Sequence, residues 1–266
     1  MNRFHQPISA FIVCKNEVAV LGECLDSLDF CREIVIVDSG STDGSLALIE
    51  DYRQRGFPIR LIEREWPGYA KQKQFALEQC TQPWCLSLDS DERLDSQLRG
   101  MLSTMRLDED TAPRCAFLLR EYLPGYGYPP TAVHAKPVVR LVRKGTAQFD
   151  ETVLVHESLA GEGRVATIHP GALLHFRNIS IYREVEKGAL YAGLKARDQF
   201  ARGRRTNLFK LMFKPIGRFL KSYVGQRYFL CGIPGFIYSA MFAQYSFLTE
   251  AKLYRLSLGQ EAPDEK

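Results

Sequence analysis

The 266-residue chain has no C-x-x-C pair, no Gly-rich turn after its first apolar run, no apolar signal core at its start and no strong surplus of one charge. Each absence closes a class. Seven cysteines stand singly, at Cys14, Cys24, Cys31, Cys80, Cys85, Cys115 and Cys231. An odd number of scattered thiols offers neither a disulfide framework nor a zinc-type pair, so a reducing cytoplasm is the expectation. The opening stretch from Met1 to Pro7 is polar and runs straight into a strand pattern, which argues against export. A net charge of +4, from 35 basic and 31 acidic residues, is too balanced to imply nucleic acid without a local patch. No internal repeat or low-complexity tract is present, and a chain that is 45% hydrophobic can bury a sizeable core.

What is present is a strand and helix alternation. Ile8 to Cys14 and Glu33 to Val37 are short apolar, largely β-branched runs, and between them Val18, Leu21, Leu25 and Leu28 recur at helical spacing. The pattern continues with a helix after Gly44, a strand Ile59 to Ile62, a helix Tyr69 to Gln79 and a strand Trp84 to Leu88. Near-continuous apolar strands separated by amphipathic helices predict a Rossmann-like α/β layer, a mainly parallel sheet covered on both faces. Beyond about residue 110 the runs Ala116 to Leu119 and Val138 to Val142 flank an aromatic, Gly/Pro-rich stretch, Tyr122 to Pro130, read as a loop over a site. Val153 to Val155, Val165 to Ile168 and Ala172 to Phe176 read as further strands. A long helix is expected from Ile179 to Phe200, so the sheet domain is placed at 1–178 and a helical region at 179–266.

The positive excess lies in that second region. Leu208 to Tyr223 mixes Phe and Leu with Lys and Arg, and Tyr228 to Leu248 carries no formal charge. Gly232, Pro234, Gly235, Ser239, Gln244 and Ser246 dilute the second run, which makes it a poor spanning helix at ~20 residues. A basic amphipathic helix beside an aromatic patch is what peripheral anchoring to the inner face of the cytoplasmic membrane requires. Packing on a twin subunit is the alternative.

Chemistry concentrates at strand ends. The strand at Trp84 delivers Asp89, Ser90, Asp91 and Glu92 at its carboxyl end, where open α/β sheets place ligands. Three carboxylates in four residues repel one another unless a cation sits among them; Mg²⁺ takes one or two and completes its shell with water and substrate phosphates. A solvated turn capping the next helix is the plain alternative. The second strand ends in Asp38, placed to accept hydrogen bonds from a base or ribose, and continues through Ser41 and Asp43, either of which can cap a helix. The first strand ends in Lys15, Asn16 and Glu17. Three polar clusters on one rim point to a shared cleft. Cys14-Lys15-Asn16-Glu17 lacks the glycines of a pyrophosphate loop, which weighs against a sugar nucleotidyltransferase. Further along, Arg140 and Arg143 are three apart in a strand pattern and face opposite ways, so only one can serve a site; Arg140 is the candidate for an anionic acceptor group.

Taken together, these residues resemble the family 2 glycosyltransferases, whose GT-A fold begins with this strand order. The match runs from Ile8 to Asp95 and includes IVCKNE at 12–17, IVIVDSGSTDGS at 34–45, GYAKQKQFAL at 68–77 and LSLDSDE at 86–92. Within that family the chain is similar to the lipopolysaccharide-core β-1,4-glucosyltransferases that extend the inner-core heptose. The resemblance implies a UDP-sugar donor, a divalent metal (Mg²⁺ or Mn²⁺), a lipid-linked saccharide acceptor and no nucleic acid. It assigns Asp38 to the nucleoside, Lys73 to the nucleotide or its phosphates, and Asp89 with Asp91 to the metal and diphosphate. Many relatives carry a second acidic residue after the first, where this chain has Ser39. An exposed helix lysine is the plain alternative for Lys73. An inverting transfer needs a base for the acceptor hydroxyl, and Glu157 occupies the matching place, with Asp150 and Glu151 as competitors and His156 as an orienting group or acceptor contact. His175 matches a late histidine that serves as a metal or phosphate ligand, or else is a satisfied core residue. A polyprenyl phosphate acceptor and a non-catalytic scaffold are the alternative readings.

Overall fold

The protein, seen in a computed structural model, is described over residues 6–150, 159–176 and 180–259. β1 (Gln6–Cys14) and β2 (Cys31–Asp38) pair in parallel, and the two-residue period of a strand sorts their side chains. Ile8, Ala10, Ile12, Ile34 and Ile36 fall on one face. They pack with Leu21 and Leu25 of α1 (Val18–Asp26), Ile49 and Tyr52 of α2 (Ser45–Gln54), and Leu98 and Leu102 of α4 (Ser96–Thr104). Phe11, Val35 and Val37 point the other way, onto Ala76 and Leu77 of α3 (Tyr69–Gln79). Strands buried on both sides must be apolar at nearly every position, which is what these runs are.

The order along the sheet is β3-β2-β1-β4-β7-β6-β11-β5, with β10 also on β6. Here β3 is Ile59–Glu63, β4 Trp84–Asp89, β5 Glu92–Leu94, β6 Arg114–Glu121, β7 Lys136–Arg143, β10 Val165–Thr167 and β11 Leu173–His175. The first four strands in that order are parallel, as the strand and helix alternation predicts. β7 then runs antiparallel to both β4 and β6. That reversal is available because β6 and β7 are joined without a crossover helix. A short hairpin, β8 (Ala147–Phe149) with β9 (Leu159–Gly161), stands apart; the strand expected at Val153 to Val155 lies outside the described residues. Asp95 caps α4, its Oδ1 accepting from Leu98 N at 2.8 Å.

The chain divides into two compact units, Met1–Glu121 with Lys136–Phe176, and Tyr122–Ala135 with Arg177–Lys266. The aromatic stretch thus belongs with the helices: Leu123 and Val133 share a small core with Tyr228 and Cys231. The second unit otherwise comprises α5 (Ile181–Ala201), α6 (Leu208–Leu220), a π-helical turn Lys221–Gly225, a 3-10 turn Tyr228–Cys231 and α7 (Gly232–Ser257). Among the described residues no helix is long and apolar enough to cross a membrane.

One glycine ties β11 to α4. Gly171 has φ +105°, and a Cβ there would run into Leu98 N and Asp95 Oδ1; Asp95 Oδ2 also accepts from Ala172 N at 2.9 Å. Gly171→Ala is therefore expected to destabilise the chain by about 1–3 kcal/mol of backbone strain, with the clash in addition. Thermal unfolding reads this directly, and an unchanged melting temperature would contradict the packing described.

Candidate active site

Two βα loops form one rim and hold each other. Asp38 is fully buried at the end of β2. Its Oδ2 accepts from Gly40 N and Ser41 N at 2.8 Å each, and its Oδ1 from Ser41 Oγ at 2.5 Å. Ser41 Oγ in turn accepts from Asn16 N at 2.9 Å, and Asn16 Oδ1 from Thr42 N at 2.7 Å. Asp43 serves both helices, accepting from Ser45 N of α2 at 3.0 Å and from Val18 N of α1 at 3.0 Å. The hydroxyl of Ser45, followed by the backbone amides of Val18 and Ser45, holds the Asp43 carboxyl below the usual carboxylate range. The Asp38 carboxylate thus shapes its own turn. Ser39, in the place of a second acid, is also buried and accepts from Gln72 Nε2 of α3 at 3.0 Å.

Helix α3 carries Lys73 inward, so the reading of it as an exposed helix lysine does not hold. Its side chain is 9% exposed and its Nζ lies 2.6 Å from Asp89 Oδ1 at the end of β4. Arg140, on β7 next to the Leu141 that pairs with Leu86 of β4, reaches the same carboxylate. Its Nη2 lies 3.3 Å from Asp89 Oδ2 and 2.5 Å from Glu92 Oε1. Glu92 Oε2 accepts from Asp89 N at 3.1 Å, which closes the turn. Both Asp89 oxygens are thereby matched by a cation. Burial works against its charge, but Lys73 and Arg140 outweigh it and hold the Asp89 carboxyl well below its ordinary range. Burial drives the Glu92 carboxyl up, Arg140 pulls it down, and the Asp89 charge adds to the rise. Arg143 faces away as expected, donating to Asp108 O at 2.8 Å and to Glu109 O at 3.1 Å.

Strand register brings in the fourth group. His175 of β11 pairs with Glu92 of β5 on one side and Glu121 of β6 on the other. Its Nε2 lies 3.1 Å from Asp91 Oδ2. Its Nδ1 is 2.9 Å from Glu121 Oε2, a charge contact whose angle departs from that of a straight hydrogen bond. Burial disfavours the imidazolium, yet Asp91 and Glu121 push its pKa up to about 10. The structure thus brings Lys73, Asp89, Asp91, Arg140 and His175 into one cluster. Asp38 lies on the neighbouring rim, while Glu157 and His156 fall outside the described residues. Glu92 was read as one of three clustered carboxylates without a role of its own, and Glu121 was missed, because a strand pairing alone brings it to His175.

Among the described residues no group of three His, Cys, Asp or Glu side chains is arranged to hold an ion. Asp89 is spent on Lys73 and Arg140, so the donors that fit a divalent cation are Asp91 and, with its ring proton released as the ion binds, His175. Two protein ligands suit an ion that draws the rest of its shell from water and phosphate.

Removing one member of a buried charge pair leaves the other uncompensated, at a cost of roughly 3–5 kcal/mol. Glu92 is 1% exposed. Arg140→Met should therefore lower stability by about that amount in denaturant unfolding, and Arg140→Met with Glu92→Leu should recover much of it. Equal losses in the single and double variants would refute the pairing.

A model described as "Glycosyl transferase family 2" matches residues 9–124. Over 249 residues the chain is 46% identical to the "Lipopolysaccharide core biosynthesis glycosyltransferase LpsC" of Rhizobium meliloti (strain 1021), covering 94% of this chain and 92% of that protein. An uncharacterized glycosyltransferase of Rickettsia felis (strain ATCC VR-1525 / URRWXCal2) is 30% identical over 259 residues, 93% of this chain and 89% of the other. Among solved structures, S. aureus TarS 1-349 in complex with UDP-GlcNAc superposes with a TM-score of 0.54 at 15% identity, covering 97% of this chain and 95% of that one. The mannosyltransferase PcManGT from Pyrobaculum calidifontis, in complex with GDP-Man and Mn²⁺, gives 0.56 at 14%, covering 94% and 87%. These two likenesses bear on the fold, which is GT-A-like as expected. With 46% identity sustained across nearly the whole of both chains, this protein belongs to glycosyl transferase family 2 and is a glycosyltransferase.

Proposed function

We propose that the protein is an inverting hexosyltransferase, moving glucose from UDP-glucose to the inner core of lipopolysaccharide or a similar lipid-linked saccharide. The observation that carries this reading is the similarity to LpsC along almost the full length of both chains. The work belongs at the inner face of the cytoplasmic membrane, where a lipid-linked acceptor and a nucleotide-sugar can meet. In this reading the sheet unit, 1–178 less the aromatic stretch, binds donor and performs transfer, and the helices beyond it hold the chain at the bilayer.

The residues divide by chemistry. Asp91 and His175 would hold Mg²⁺ or Mn²⁺, which would supply positive charge against the departing diphosphate. Lys73 is drawn towards donor phosphates, because a second anion beside Asp89 competes for the same ammonium. Asp38 fixes the loop against which the nucleoside rests. Arg140 keeps Asp89 ionised and holds Glu92 in place. Glu121 is a positioning residue, orienting the His175 ring from its far nitrogen. Glu157 takes the proton of the acceptor hydroxyl, with His156 beside it.

Glu157→Gln tests the base. Donor binding should persist while transfer falls ~10²- to 10⁴-fold, the usual cost of losing general-base catalysis; undiminished transfer removes Glu157 from the mechanism. In a cell lacking the protein, lipopolysaccharide should be truncated from the missing hexose outward, as mass spectrometry of the released core would show. A core of full length would send the search to other envelope acceptors.

A further inference from the structure

Neither side chain at the start of the β2 turn is open to a ligand. Asp38 has no exposed surface and spends its oxygens on its own loop, while Ser39 is 7% exposed and its Oγ accepts from Gln72. A nucleoside arriving at this rim must be held by other groups.

What stands open beside the turn is aromatic. The segment after β3 begins at Arg64, whose N donates to Asp38 O at 2.9 Å, and reaches α3 through Glu65, Trp66, Pro67 and Gly68. Gly68 has φ +111°, which turns the chain into the helix, and a Cβ there would meet nothing within 4 Å. Trp66 is 40% exposed, and Tyr69, the first residue of α3, is 52% exposed. Phe11, Tyr52, Trp84, Phe117 and Phe149 of the same unit are all buried. The Trp66 and Tyr69 rings meet edge to face, their centroids 4.6 Å apart and their planes at 88°. Two flat walls at a right angle make a notch for a third flat ring.

Helical spacing ties the notch to the charged cluster. Tyr69 and Lys73 are four residues apart on α3, so they share a face about 6 Å apart along its axis. Lys73 reaches Asp89; Tyr69 stands one turn nearer the helix start. A ribose bridges such a gap between a base and its phosphate. Strand order supplies the direction. His175 on β11 and Glu121 on β6 lie on the far side of β4 from β3. A diphosphate between Lys73 and Asp91 thus has the acid and imidazole groups on one side, where sugar transfer needs them, and the aromatic notch on the other.

The geometry points to Trp66 and Tyr69 as the nucleobase site of the nucleoside-diphosphate donor: the base stacks on one ring and abuts the other, in place of a contact with the Asp38 or Ser39 side chain. This deepens the donor reading given above and rests on it.

Titration of UDP into the full chain with Mg²⁺ present tests the site, followed by calorimetry and by acrylamide quenching of tryptophan emission. The chain has 2 tryptophans, and Trp84 is 3% exposed, so the quenchable emission is that of Trp66. UDP should shield it; inorganic pyrophosphate, which has no base, should not. Trp66→Ala should weaken UDP binding about 5- to 150-fold, the usual cost of removing the platform under one stacked base, and Trp66→Phe should keep most of the affinity. Native-like UDP binding by Trp66→Ala overturns the stacking site, as does a Trp66 equally quenched with and without bound UDP. Shielding by pyrophosphate as strong as that by UDP makes the effect a response of the loop to phosphate and overturns it too. A native protein that binds no UDP overturns the donor reading itself, and this site with it.

Discussion

Asp89 sits at the carboxyl end of a buried strand with a cation on each oxygen, Lys73 from α3 and Arg140 from β7. Everything else at the site is arranged around that carboxylate. An ion moved from water into a protein interior loses several kcal/mol of hydration, and only close opposite charges restore it. The chain therefore has to deliver Lys73, Asp89, Glu92 and Arg140 together or not at all. Three elements of the sheet unit, β4, β7 and α3, are locked by this requirement as firmly as by their apolar faces.

That constraint also separates the roles of two acids standing two residues apart. Asp89 is satisfied internally, and its partners leave it little capacity for an added ion. Asp91 faces His175 with a free side towards solvent, at 33% side-chain exposure. One motif thus contains a structural carboxylate and an available one. Donor phosphates would meet a rim whose lysine is already oriented and whose arginine is already committed, so little rearrangement is needed when they arrive. The neighbouring turn follows the same logic, since Asp38 spends its oxygens on its own loop and Asp43 on the starts of two helices.

Much of the sheet unit was legible because its signals are local. The runs at Ile8, Ile34 and Trp84 are apolar at nearly every position, and helix α3 begins and ends where Tyr69 and Gln79 said it would. The opposed directions of Arg140 and Arg143 follow from strand period alone. What escaped is non-local. Glu121 reaches His175 only through the pairing of β6 with β11, and the reversal of β7 against β4 leaves no periodic trace. The aromatic stretch from Tyr122 was read as a loop over a site because glycine, proline and tyrosine suggest a loop; that Leu123 and Val133 pack with Tyr228 and Cys231, about a hundred residues away, has no local signal. The motif marked Asp89 as a metal ligand; the two cations that occupy it come from 16 residues before and 51 after.

The proposed chemistry requires that this cluster grip a nucleotide-sugar through Asp91. Calorimetric titration of UDP-glucose into the full chain with Mn²⁺ present, for the native protein and for Asp91→Asn, addresses that most directly. The native protein is expected to bind with a heat that disappears when the metal is chelated, and the variant to lose at least tenfold in affinity, about 1.4 kcal/mol. Equal binding by both proteins, with or without the ion, would contradict it.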